Sequence, residues 1–145
     1  MEDKDIRWKQ RFSNYSKALS QLELFVNKGE ELNEMEEQGL IKSFEYTFEL
    51  SWNTIKDFYE SQGEIGIQGS KDAFRLAYQR ELINDGEQWM SMIESRIKTA
   101  HTYDEEKADE VAHAIRYTYY NLFKTFHQTM QKIISGEDKI GRAHV

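Results

Sequence analysis

Residues 33–61 read NEMEEQGLIKSFEYTFELSWNTIKDFYES, and this stretch decides the fold. Ile41, Phe44, Phe48, Trp52 and Ile55, then Phe58 or Tyr59, recur at steps of three and four. That spacing places them on one face of a helix. Asn33 is the natural N-cap, and Glu36 stands at the third helical position as its capping-box partner. One helix is therefore predicted from the Asn33 cap to about Ser61, roughly 40 Å long at 1.5 Å per residue. Leu40, Tyr46 and Leu50 add apolar surface off the main stripe, so the helix is central in a bundle or meets another subunit. Glu45 and Glu49, one turn apart beside the aromatics, read as a solvated acidic edge.

The rest of the chain repeats the pattern. Trp8, Phe12, Tyr15, Leu19, Leu22 and Val26 predict a first helix over about Ile6 to Asn27, stopped by Lys28-Gly29. Gln62–Gly69 holds three glycines and reads as the long loop. Ser70 is expected to cap a short helix to Leu82, with Ala73, Phe74, Ala77 and Tyr78 inward. After Asn84-Asp85-Gly86, a turn signal, Asp85 is expected to cap a helix whose face carries Trp89, Met92, Ile93 and Arg96. That helix should fray or kink near Thr99 to Thr102. Asp104 then caps a long last helix to about Ser135, striped by Ala108, Ala112, Ile115, Tyr119, Leu122, Phe126, Met130 and Ile133. Tyr117, Tyr120 and Phe123 widen its apolar face beyond what one core needs, which reads as a dimer surface. The expected fold is all-α: an up-and-down bundle of four-helix type with one or two extra short helices, homodimeric.

Composition supports this class. The 145 residues include no proline and only eight glycines, so nothing breaks long helices. They suit one domain, residues 1–135, followed by a polar tail, 136–145. Within the tail Ile140-Gly141-Arg142-Ala143-His144-Val145 reads like a translated sequencing adapter, so the tail is set apart from functional reasoning. There is no cysteine, hence no disulfide framework and no thiolate metal site. No apolar run approaches the roughly 20 residues that span a bilayer, and Met1-Glu2-Asp3-Lys4-Asp5 is too polar for a signal peptide. The expected place is the cytoplasm, away from the membrane. The net charge is −7, from 19 basic and 26 acidic side chains. Bulk attraction to nucleic acid is thereby excluded, and any such role must rest on a local patch.

Few residues offer chemistry. His113 and His127 lie about 21 Å apart along one helix and cannot share an ion within a chain. No His-x-x-x-His pair occurs, so neither a metal nor a cofactor is expected. Gly69-Ser70 before a helix is weakly like a nucleotidyltransferase loop, but that enzyme also needs an Asp-x-Asp strand about ten residues on. Glu81-Leu82-Ile83 stands there instead, so the chain is not itself a nucleotidyltransferase. There remain Arg96, His101 and Tyr103. Arginine presents a planar fork to phosphate oxygens. Histidine as a type exchanges protons near neutrality. The pair is the minimum set for metal-free RNA cleavage, in which the ribose 2′-OH attacks and arginine stabilises the phosphorane. The plainer alternative is a basic helix C-terminus complementing its dipole. Geometry adds a condition. Five residues on an unbroken helix separate two side chains by about 140°. Arg96 and His101 share a site only if the helix ends between them or two chains contribute.

The chain resembles the HEPN superfamily, small helical proteins marked by Arg-x4–6-His, and within it the HepT type, or nucleotidyltransferase substrate-binding protein family. The resemblance rests on four stretches: Arg7–Phe12 with Asn14–Ala18, Phe44–Trp52, Ser70–Ala73, and Arg96–Asp104. It implies a homodimer whose two Arg-x4-His sites meet across the interface. It implies a minimal, MntA-like nucleotidyltransferase partner encoded next door and RNA as substrate. Arg96 and His101 would be catalytic in a metal-independent endoribonuclease toxin, and Tyr103 would receive AMP from the partner, which silences it. Asp72 and Glu49, in matching stretches, would support the site. One departure is Ile97, where family ribonucleases usually carry a polar residue. The alternative is a non-catalytic substrate-binding subunit of the nucleotidyltransferase.

Overall fold

The computed structural model describes residues 2–136, with side chains described from Asp5. It is all-helical. Helix α1 spans Glu2–Asn27, α2 Glu34–Ser61, α3 Ser70–Gln79, α4 Gly86–Lys98, α5 Glu105–Ala114 and α6 Tyr120–Ser135. The tail from residue 137 onward, including His144, lies outside the described residues.

Helices α1 and α2 form an antiparallel hairpin. Trp8 meets Phe58 edge-on at 5.0 Å near one end, and Arg11 pairs with Asp57 at 2.9 Å. The hairpin turn needs Gly29, whose φ of +68° is cheap only without a Cβ. Asn33 and Glu36 then make the full capping box, each side chain bonding the other's backbone N–H. The α5–α6 rod lies antiparallel to α1. Tyr15 packs on Phe123 and Phe126 and donates to the Phe123 carbonyl at 2.7 Å. Helix α4 closes the bundle through Trp89, which touches Phe123 and Phe126. Short α3 plugs the side through Phe74, packed between Phe48 and Trp89. Four long rods and one short insert share one core, as the periodicity predicts.

Several local expectations need correction. Gly69, not Ser70, is the N-cap residue of α3, and Ser70 is its first helical residue. That helix stops at Gln79, because Glu81 turns left-handed (φ +61°) and closes a Schellman motif. Its bonds run from Leu82 N–H to the Ala77 carbonyl and from Glu81 N–H to the Tyr78 carbonyl. Leu82 and Ile83 thus tuck into the core, and Tyr78 is left 54% exposed. Asp85 does occupy the cap position of α4. Its backbone is left-handed, though, and its carboxylate makes no cap bond.

A further correction concerns the last rod. A π-helical turn, Ile115–Tyr119, separates α5 from α6. The extra residue in that turn advances the register by about 100°. Phe123 therefore becomes fully buried while Leu122 is only half-buried. Tyr120 is buried too, with its hydroxyl on Glu23. Of the three residues assigned to a dimer surface, only Tyr117 is exposed.

Candidate functional site

The corner between α4 and α5 is built by its own sequence. Helix α4 ends at Lys98, and Thr99–His101 form one 3₁₀ turn. Asp104 then caps α5 by accepting from Glu106 N–H at 3.0 Å. Gln38 of α2 ties the corner down by donating to the Thr102 carbonyl at 3.2 Å. Lys98 and Glu110, 2.9 Å apart, clip α4 to α5. The α-helix thus ends between Arg96 and His101.

Arg96 faces α2. Its Nε donates to Glu49 Oε2 at 3.3 Å, and its Nη1 donates to Glu45 Oε2 at 3.2 Å and to Thr99 Oγ1 at 3.0 Å. The Thr99 hydroxyl lies 2.6 Å from both Glu45 Oε2 and the Arg96 carbonyl, with one proton for two acceptors. Trp52 holds the other Glu49 oxygen at 2.9 Å. Glu45 and Glu49 are therefore an arginine clamp, not merely a solvated acidic edge. The physical cause is the packing of α4 on α2, which brings a half-buried guanidinium against them. Five N–H donors are available on arginine. The two on Nη2 make no hydrogen bond among the described residues, so that edge can receive a phosphate oxygen.

His101 and Tyr103 lie beyond the 3₁₀ turn. Their rings meet edge-on at 6.1 Å. Both are exposed, Tyr103 at 86%. No hydrogen bond joins Arg96 to His101 among the described residues; Arg96 is held against α2, while the ring of His101 meets that of Tyr103. Ile97 is 62% exposed. Asp72 does other work: it accepts from the Gln68 N–H at 3.0 Å and steadies the start of α3.

Tyr103 also borders a cleft of about 370 Å³ between α2 and α5, whose lining includes Glu34, Glu37, Glu105 and Met35. Burial, then the Asp109 carboxyl bonded beside it, push Glu37 up to about 7. This side of the corner is acidic. Among the described residues no cluster of His, Asp and Glu has the form of a metal site.

Sequence reasoning does not assign Thr99, Glu45 and Gln38 to the site. Thr99 carries a signal, standing three residues after Arg96, where side chains meet on a helix. Glu45 and Gln38 carry none, because their partners lie more than fifty residues away.

Comparison with known proteins adds the following. A family model described as "Nucleotidyltransferase substrate binding protein like" matches residues 10–132. A Haemophilus influenzae protein named "Probable ribonuclease HepT" is 38% identical over 74 residues, 48% of this chain and 51% of that one. The match thus spans about half the length of the curated relative. A Haemophilus influenzae structure, described as revealing the fold of a substrate binding domain of a nucleotidyltransferase, aligns with a TM-score of 0.71. Identity there is 25%, over 83% of this chain and 98% of that one. A structure from Thermus thermophilus aligns with a TM-score of 0.66 and 24% identity, over 83% of this chain and 96% of that one. The last of these bears on the fold alone. Among the described residues no helix is long and apolar enough to cross a membrane.

Proposed function

The chain belongs to the nucleotidyltransferase substrate-binding protein-like family, of the HepT type, and from that premise we propose a metal-independent endoribonuclease controlled by a nucleotidyltransferase partner. The observation that carries this reading is Arg96. It is fixed by Glu45, Glu49 and Thr99 with its Nη2 edge unspent, on the same corner that presents His101 and a highly exposed Tyr103. In a homodimer pairing two such corners, one phosphodiester lies between guanidinium and imidazole groups of both subunits. His101 takes the proton of the ribose 2′-OH, which attacks phosphorus. The P–O5′ bond breaks, the leaving oxygen receives a proton from imidazolium, and Arg96 stabilises the phosphorane. The products are a 2′,3′-cyclic phosphate and a 5′-hydroxyl.

Silencing follows from the position of Tyr103. The partner nucleotidyltransferase directs the Tyr103 hydroxyl at the α-phosphate of ATP; pyrophosphate leaves and the phenolic proton passes to a base on the partner. The AMP then sets a charged phosphodiester and a purine beside His101, where substrate must sit.

Purified protein should cut single-stranded RNA with a chelator present, and His101→Ala should lower the rate by about 10²-fold or more. Intact RNA with the wild type would overturn the ribonuclease reading. A second reading then stands, a non-catalytic subunit that presents substrate to the nucleotidyltransferase. The neutralisation of Arg96 by Glu45 and Glu49, and the apolar Ile97 beside it, favour that reading. Mass spectrometry after co-expression with the neighbouring nucleotidyltransferase tests Tyr103, where no gain of AMP counts against modification.

A further inference from the structure

A chain carrying −7 net charge can hold RNA only through a local patch, and the fold assembles one that the sequence does not display. Between α1 and α2 lies a groove of about 420 Å³ whose lining includes Lys17, Lys42, Asn14, Gln21 and Tyr46 and no acidic side chain. Its two lysines stand 25 residues apart in sequence and come together only because α1 and α2 pack antiparallel. Lys17 has no ion-pair partner among the described residues. Lys42 reaches Glu45 only at 3.8 Å, with its side chain 85% exposed. Tyr46 is 60% exposed, an aromatic face open to a planar ligand.

The groove has a shaped floor. Phe25 lies against Gly39 so closely that a Cβ there would sit 2.9 Å from the ring's Cε1 and Cζ. Any side chain at 39 must displace that ring. The groove also leads to the clamp, since Lys42 approaches Glu45 Oε1 while Glu45 Oε2 accepts from Arg96.

Two ammonium groups, side-chain amides and an open aromatic ring match the parts of a single strand: phosphates, base edges and a base face. We propose that the α1–α2 groove is a binding site for single-stranded RNA, with backbone phosphates at Lys17 and Lys42 and one base stacked on Tyr46. The proposal deepens the ribonuclease reading and rests on RNA being the ligand. It can be tested apart from cleavage.

The probe is a fluorescent single-stranded oligoribonucleotide titrated into the His101→Ala chain, which leaves the probe intact. A further Lys17→Ala/Lys42→Ala change should weaken binding about tenfold and lower the salt slope by about 1.4, some 0.7 for each lost phosphate contact. Tyr46→Ala should also weaken it about tenfold. Gly39→Ala changes no charge, so weaker binding with the salt slope unchanged marks a shaped seat and not diffuse attraction. Groove variants that bind like their parent overturn the proposal, whatever the wild type cleaves. So does an oligonucleotide that fails to bind at low salt, or a mononucleotide that competes as well as the strand. If the lysine changes instead turn a dimer into monomers, the groove is a subunit interface and the proposal also falls. Groove-dependent binding by a wild type that leaves RNA uncut would support the groove and sink the ribonuclease reading.

Discussion

At the scale of single residues, Glu81 and Glu37 hold unfavourable states. Glu81 sits at φ +61°, where an L side chain costs about 1–2 kcal/mol. Glycine removes that cost but loses about 0.5–1 kcal/mol to chain entropy. Glu81→Gly should therefore stabilise the fold by about 0.5–1 kcal/mol, read from the urea midpoint. Glu37 is the second case. Its carboxyl, raised to about 7 by burial and by Asp109, holds a proton in the folded chain that the unfolded chain has already released. Stability from that group is complete at low pH and is lost as pH rises through about 7. Glu37→Gln should raise the melting temperature at about pH 8 and bring little at about pH 5. Equal gains at both pH values would show that the group ionises freely. Neither strain nor shift could be read from the sequence, since both depend on neighbours set by the turn and by α5.

At the scale of elements, the ends of α2 were legible because capping is local chemistry. Asn33 and Glu36 are three residues apart and bond each other. Asn33→Ala should cost about 1 kcal/mol in chemical denaturation. The π turn at Ile115–Tyr119 was not legible, because it trades one local hydrogen-bond register for burial of Phe123. It makes a sharp prediction. Deleting Thr118 returns the turn to an α-helix and leaves the flanking faces in register. Deleting Gln128 swings the end of α6 by about 100° and exposes Met130. Thermal melting should show the first deletion far better tolerated than the second.

At the scale of the whole molecule, the proposed cleft needs two copies. The sedimenting mass should be about twice 17.3 kDa. Arg96→Ala and His101→Ala chains, each inactive alone, should regain cleavage of RNA when mixed, because the mixed pair carries one guanidinium and one imidazole in its cleft. No recovery, with exchange of subunits verified, would place the whole reaction within one chain. The argument for a dimer from surplus aromatics lost Tyr120 and Phe123 to the core, so this experiment now decides the matter.

The sequence by itself determined the helical class, the capped start of α2 and the end of the α-helix between Arg96 and His101. Periodicity, caps and glycine stops act over a few residues and leave their marks in order along the chain. Tertiary structure alone decided that Glu45 and Glu49 grip Arg96 and that Lys17 and Lys42 share a groove. Those facts depend on which helix faces lie together, and a free energy of packing summed over the whole core sets that choice.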